Sequence, residues 1–154
     1  MTSPAIGTRL RHLLELLDGD VARVYTDLGL PWFRPRFTPV VRTLTGHGPL
    51  PIRDLAEALG VTHSAASQTV TQMRKLDLVE LRPGADARER IVHLTEKTRE
   101  LLPVLDAEWT ATEAAFAELE EELPGSLAEL VAAATRALAE RPFHDRVSAR
   151  LRKA

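Results

Sequence analysis

Apolar residues recur at helical spacing along most of this chain. Ile6, Leu10, Leu13, Leu14 and Leu17 lie three or four residues apart, which predicts an amphipathic helix. Ser3 reads as its N-cap, with Pro4 at the first helical position. Gly19 weakens the pattern, and Val21, Val24 and Tyr25 extend it. The segment Gly29 to Phe37, "GLPWFRPRF", is a break rich in proline and aromatic residues. A second helix is expected from about Pro35 to Thr45, with Phe37, Val40, Val41 and Leu44 inward. Pro39 fits only in its first turn, because proline has no N–H to donate further in. "GHGPLP", Gly46 to Pro51, reads as a turn. Ile52 to Leu59 is a short helix with Ile52, Leu55, Ala56 and Leu59 inward. Gly60 supplies the left-handed backbone that ends it. Thr62 caps the next helix, His63 to about Leu76, whose inward residues are Ala66, Val70 and Met73.

Two short strands follow, Val79 to Arg82 and Arg90 to Leu94, joined by "PGADAR", whose Pro-Gly and Asp suit a hairpin tip. Thr95 opens a long helix with Thr98, not Glu, three residues on, so half a capping box is missing. Thr98, Leu102, Leu105, Trp109, Thr112, Phe116, Leu119 and Leu123 then recur at spacings of four and three, a narrow seam like that of a coiled coil or bundle. Pro103 is expected to kink this helix or split off its first turns. Pro124 to Ser126 breaks the chain. Ser126 caps a further helix with Leu127, Val131, Ala134 and Leu138 inward, and a last short helix starts after Pro142.

The order helix, tight glycine turn, helix, hairpin is that of a winged helix-turn-helix. The fold class expected is mostly α, with a small β-hairpin wing and flanking N- and C-terminal helices. Ala56 is the small residue needed where the paired helices cross. The stretch "ALGVTHSAASQTV", Ala58 to Val70, carries small polar residues where a solvent-facing helix usually carries Glu and Lys. The face with His63, Ser64, Ser67, Gln68, Thr71, Gln72, Arg74 and Lys75 suits a DNA major groove. Short hydroxyl side chains let the helix sit deep. Gln68 and Gln72 can reach adenine edges, and Arg74 or Lys75 can reach phosphate. In the hairpin, Arg88 can extend into the flanking minor groove, and Asp86 is expected to orient Arg88 or Arg90 by a salt bridge.

Composition narrows the picture in places. The net charge of −2 does not announce a nucleic-acid binder. Its distribution says more, for the segment from Glu96 to Glu122 is acidic while Met1 to Arg11 and the last residues are basic. There are no cysteines, which excludes disulfides, thiolate zinc sites and thiol redox sensing. His12, His47, His63, His93 and His144 show no ligand-like spacing, so no metal is expected. No apolar run approaches the ~20 residues of a membrane span. Arg9, Arg11 and His12 interrupt any leader-like core, so a cytoplasmic protein is expected. No Gly-rich phosphate loop, Ser-His-Asp context or metal cluster points to an enzyme or to a cofactor.

The segment Ile52 to Thr98, "IRDLAEALGVTHSAASQTVTQMRKLDLVELRPGADARERIVHLTEKT", resembles the MarR family of bacterial transcriptional regulators. The wing signature of that family, Asp, Arg two residues on, then Leu-Thr, is matched by Asp86, Arg88, Leu94 and Thr95. The family commonly has Gly where this chain has Asp77. The resemblance implies a homodimer with residues 1–34 as dimerisation helix and linker, 35–95 as DNA-binding domain and 96–154 as long helix and dimerisation helices. Leu105, Trp109, Phe116, Leu119, Leu10, Leu13, Leu127 and Leu138 are the candidates for that interface. The family further implies a ligand-responsive repressor of a pseudo-palindromic operator, with double-stranded DNA and a small aromatic ligand as partners. Tyr25, Trp32, Arg36 and His47 are the ligand-pocket candidates, although a core plug is the stronger reading of Trp32 and the adjoining Phe33. The alternative is a winged-helix architectural or interaction module that does not read sequence. It draws on the balance of Arg53, Arg74, Lys75, Arg82, Arg88 and Arg90 against Asp54, Glu57, Asp77, Glu80, Asp86 and Glu89.

Overall fold

The computed structural model describes residues 5–153. The chain forms two compact units, Met1–Ala107 and Glu108–Ala154. The expected cap at Ser3 and Pro4 lies outside the described residues. Helix α1, Ile6–Asp27, is unbroken through Gly19 and has no side-chain cap at Ala5. It ends in a left-handed Gly29, φ 78°, where the Leu30 N–H returns to the Tyr25 carbonyl at 2.8 Å.

The second helix does not start at Pro35. Pro35–Phe37 is a separate 3-10 turn, and α2 is Thr38–His47, with Pro39 in its first turn as required. Gly46 and His47 belong to α2 rather than to a turn, and Leu50–Pro51 is a strand, β1. Helix α3, Ile52–Leu59, and helix α4, His63–Lys75, have the expected limits. Strands β2, Val79–Pro83, and β3, Arg90–Leu94, form the hairpin, and α5, Glu96–Glu121, follows. The sheet order is β1-β3-β2, all antiparallel, with Leu50 and Leu81 both opposite Val92. The wing therefore has three strands at its base. A two-residue strand is too short to show alternation, which is why the sequence pattern conceals it.

The core of the first unit is an aromatic wedge on packed helices. Tyr25, Phe33 and Phe37 are buried, with ring centroids 4.7 Å apart for the first pair and 5.6 Å for the second. Val40, Val41 and Leu44 of α2 and Ala66, Val70 and Met73 of α4 are buried as their spacing requires. Each of these side chains larger than alanine contributes roughly 1.5–3 kcal/mol by leaving water.

Pro103 lies inside α5 without splitting it. Along the seam Leu105 and Trp109 are buried, whereas Phe116 is exposed. In the second unit, α6 is Leu127–Glu140 and α7 is Phe143–Leu151. The Ser126 hydroxyl accepts from the Glu129 N–H at 3.2 Å, and the Glu120 carboxylate accepts from the Ala128 N–H at 2.7 Å. A carboxylate there also answers the positive end of the α6 dipole. Arg146 donates to the Ala137 carbonyl at 2.8 Å and to Arg141 at 3.1 Å, closing the other end. No residue of α6 is buried, and Val131 and Leu138, expected inward, are 57% and 43% exposed. The amphipathic pattern is real, yet its apolar side is exposed among the described residues.

Candidate nucleic-acid interface

Three local devices place α4. The Thr62 hydroxyl accepts from the Ala65 N–H at 3.1 Å, capping its start. Gly60, φ 65°, makes the turn from α3, and the Val61 N–H reaches back to the Ala56 carbonyl at 3.1 Å. At the far end Asp77 adopts φ 57°, the left-handed conformation that glycine adopts most readily. The Asp77 N–H then bonds the Arg74 carbonyl at 3.0 Å and the Leu78 N–H the Met73 carbonyl at 2.9 Å. That pair of bonds is a Schellman motif, with Met73 and Leu78 making its buried apolar contact.

Each helical residue turns the axis by ~100°. With Ala66, Val70 and Met73 buried, the opposite stripe is Ser64, Gln68, Thr71 and Lys75, all exposed. His63, Ser67 and Arg74 fall on one flank. Gln72 falls on the other flank, with Thr69 and Leu76, and is half-buried. Its Oε1 is enclosed without a hydrogen-bond partner. Gln72 therefore does not join the outward row in which its polarity placed it. The Thr71 hydroxyl donates to the Ser67 carbonyl at 2.8 Å.

The wing tip is closed by a set of short-range hydrogen bonds. Asp86 accepts the Arg88 backbone N–H on Oδ1 at 3.0 Å and the Glu89 N–H on its carbonyl at 2.9 Å. The Gly84 N–H bonds the Glu89 carbonyl at 3.0 Å. A Cβ at Gly84 would lie 3.1 Å from Glu89 Cβ, so glycine permits this closure. Asp86 thus orients Arg88 through the backbone, and among the described residues no ion pair involves the Arg88 or Arg90 guanidinium. The salt bridge expected from sequence does not form among the described residues; the carboxylate bonds the backbone of the turn.

His63, Arg88 and Arg90 line one groove of about 430 Å³, with Arg53, Asp86 and Glu89 among the other walls. Arg53 is a residue that the sequence reading left off the interface. It arrives because β1 pairs with β3 and delivers the start of α3 beside the wing. Its Nε donates to Asp54 at 3.1 Å, and this bond raises its pKa. Within the wing, Arg82 pairs with Glu80, and His93 lies opposite Glu80. Burial chiefly, and Arg82 next, lower the His93 pKa below its ordinary value.

Residues 38–89 match the sequence model described as MarR family. Over these residues the chain is similar to the MarR family. The matched segment is about a third of the chain and includes α4 and the wing tip. No curated protein matches the chain. Among solved structures, the Mycobacterium tuberculosis transcriptional regulator MosR in complex with DNA is 21% identical, with a TM-score of 0.69 over 90% of this chain and 99% of that one. A mutant MarR from Escherichia coli is 15% identical, TM-score 0.56, over 92% and 99%. The adhesin competence repressor AdcR from Streptococcus pyogenes is 18% identical, TM-score 0.58, over 91% and 99%. At these identities the likeness is one of fold, and it extends beyond the MarR segment to the flanking helices.

The four ligand-pocket candidates have different surroundings among the described residues. Tyr25 is wholly buried, its hydroxyl 3.0 Å from Thr38 Oγ1 at the start of α2. His47 ends α2, roughly 13 Å further along the axis, with Nδ1 3.2 Å from the Thr43 carbonyl. Arg36 is exposed over the Phe37 ring, 5.8 Å from its centroid. Trp32 is half-buried against Phe33. No described helix is long and apolar enough to cross a membrane.

Proposed function

We propose that this protein is a MarR-type transcriptional regulator that binds double-stranded DNA as a homodimer and represses by occupying a pseudo-palindromic operator. The observation that carries the reading is the pairing of an outward row free of carboxylates, Ser64, Gln68, Thr71 and Lys75, with a hydrogen-bonded wing tip whose exposed Arg88 guanidinium is in no ion pair among the described residues. The row supplies hydrogen-bonding groups for base edges, and the arginine supplies charge for a phosphate or a narrow minor groove. That the MosR neighbour was solved with DNA supports the same assignment. Dimerisation is supported by the apolar residues left exposed on α1, and separately on α6 and α7, such as Leu10, Leu130 and Phe143. Phe116, Leu119, Leu10, Leu13, Leu127 and Leu138 remain interface candidates. Release from DNA by a small aromatic ligand rests on the family resemblance, and the cytoplasm is the compartment this role requires. The MarR family is one of regulators, not enzymes.

Fluorescence anisotropy of the full chain with its own upstream DNA tests this reading. Preference for that DNA over a random duplex at moderate salt, with two chains bound per site, is expected. Equal affinity for both duplexes, even at low salt, would leave the architectural alternative, which the balanced charge of residues 52–95 favours.

A further inference from the structure

We propose that Lys97 is a positioning residue for DNA reading, one that locks the C-terminal end of α4 to the first turn of α5 and to the linker after α1. The Schellman bonds at the end of α4 leave three successive carbonyls, those of Leu76, Asp77 and Leu78, beyond the helix. The first turn of α5 takes all three. Lys97 Nζ donates to the Leu76 carbonyl at 2.7 Å. Thr95 Oγ1 donates to the Asp77 carbonyl at 2.6 Å. Thr98 Oγ1, wholly buried, donates to the Leu78 carbonyl at 2.6 Å, and the Thr95 N–H donates there too at 3.1 Å. The two threonine hydroxyls lie 3.3 Å apart, so the cluster is continuous. This is why α5 opens on Thr-x-x-Thr and not on a capping box: the second hydroxyl serves the reading helix instead of its own N-terminus.

Lys97 differs from the threonines because it has a second seat. Its ammonium lies 4.5 Å from the centroid of the Trp32 ring, which is itself packed against the buried Phe33 at 6.3 Å. One cation therefore ties the linker, the end of α4 and the start of α5 together, by a charge-assisted hydrogen bond and a cation–π contact. Base readout needs side chains held to within fractions of an ångström, whereas phosphate attraction tolerates looseness. Loss of the tie therefore falls on selectivity and leaves general DNA attraction intact. This rests on the proposal above that α4 reads bases.

The test uses the full chain and two duplexes: one selected by the wild type from a random pool, and a scrambled duplex of the same composition. Lys97→Met keeps the aliphatic stem and removes the charge. It is expected to weaken binding to the selected duplex roughly tenfold, the worth of one charge-assisted bond. Binding to the scrambled duplex should change less than about twofold, with no change in salt dependence. Lys97→Arg, which can donate and stack, should restore most of the selectivity. Hydrogen exchange at the Asp77 and Leu78 amides should quicken in Lys97→Met. Should that variant not fold, Trp32→Leu removes the ring alone and should move both readouts the same way by a smaller amount. Unchanged selectivity with unchanged exchange would overturn the proposal. So would equal weakening on both duplexes with a shallower salt slope, which would make Lys97 a phosphate contact. A wild type that selects no sequence would instead sink the DNA reading itself.

Discussion

Arg88→Ala offers a quantitative probe of the wing. Asp86 fixes the backbone of Arg88, and Gly84 and Glu89 close the turn, so removal of the side chain leaves the tip in shape. The guanidinium is exposed and carries no ion pair, so its charge is available to a phosphate. Each phosphate neutralised contributes about 0.9 to the slope of log affinity against log salt. A two-fold dimer presents Arg88 twice, so the variant should flatten that slope by about 1.8. Between 50 and 200 mM salt, a fourfold change, the wild type should therefore lose about twelvefold more affinity than the variant. Anisotropy titrations of a labelled duplex at four or five salt concentrations measure both slopes. Parallel slopes would refute the reasoning, because an arginine that touches DNA cannot be removed without returning its counterions. A change near 0.9 would mean that only one wing of the pair engages.

Gln68→Ala should relax base preference at one position of each half-site by ~1–3 kcal/mol with little change in salt slope, as binding to a panel of single-base variants would show. Gln72→Ala should leave that preference unaltered, since its side chain lies on the other flank. Thr98→Val preserves shape and removes a donor, but the Leu78 carbonyl keeps the Thr95 N–H, so chemical denaturation should report a loss of about 1 kcal/mol and not the larger cost of an orphaned group. His93 has a lowered pKa, so the unfolded chain takes up its proton first as pH falls. Its contribution to stability is complete above about pH 6.5 and declines as pH falls through the lower folded value. His93→Gln should therefore flatten the fall in Tm between pH 7 and pH 5, and an unchanged fall would remove His93 from that account.

The parts of the fold that show plainly in the sequence are those where the chain supplies both the pattern and the partner. Ala66, Val70 and Met73 bury against elements of the same unit, so spacing alone gives the face of α4, and Gly60 and Thr62 mark its start. β1 is hidden because two residues carry no period, and with it the arrival of Arg53 beside the wing. Gln72 was placed outward by its polarity, whereas its angle on the helix decides otherwise. Tyr25 and His47 look like one aromatic and basic cluster along the chain, but the length of α2 separates them. Val131 and Leu138 keep an amphipathic pattern although both are exposed among the described residues. The hydrogen bond from Lys97 to Leu76 joins residues 21 apart, and no local motif announces it.

The most direct test of the account is footprinting on duplexes that the full-length protein selects from a random pool. The account predicts an inverted repeat whose half-sites are centred about 10 base pairs apart, each protected in the major groove, with wing contacts in the flanking minor groove. Enrichment of no sequence, or protection of a single unrepeated site by one chain, would contradict it.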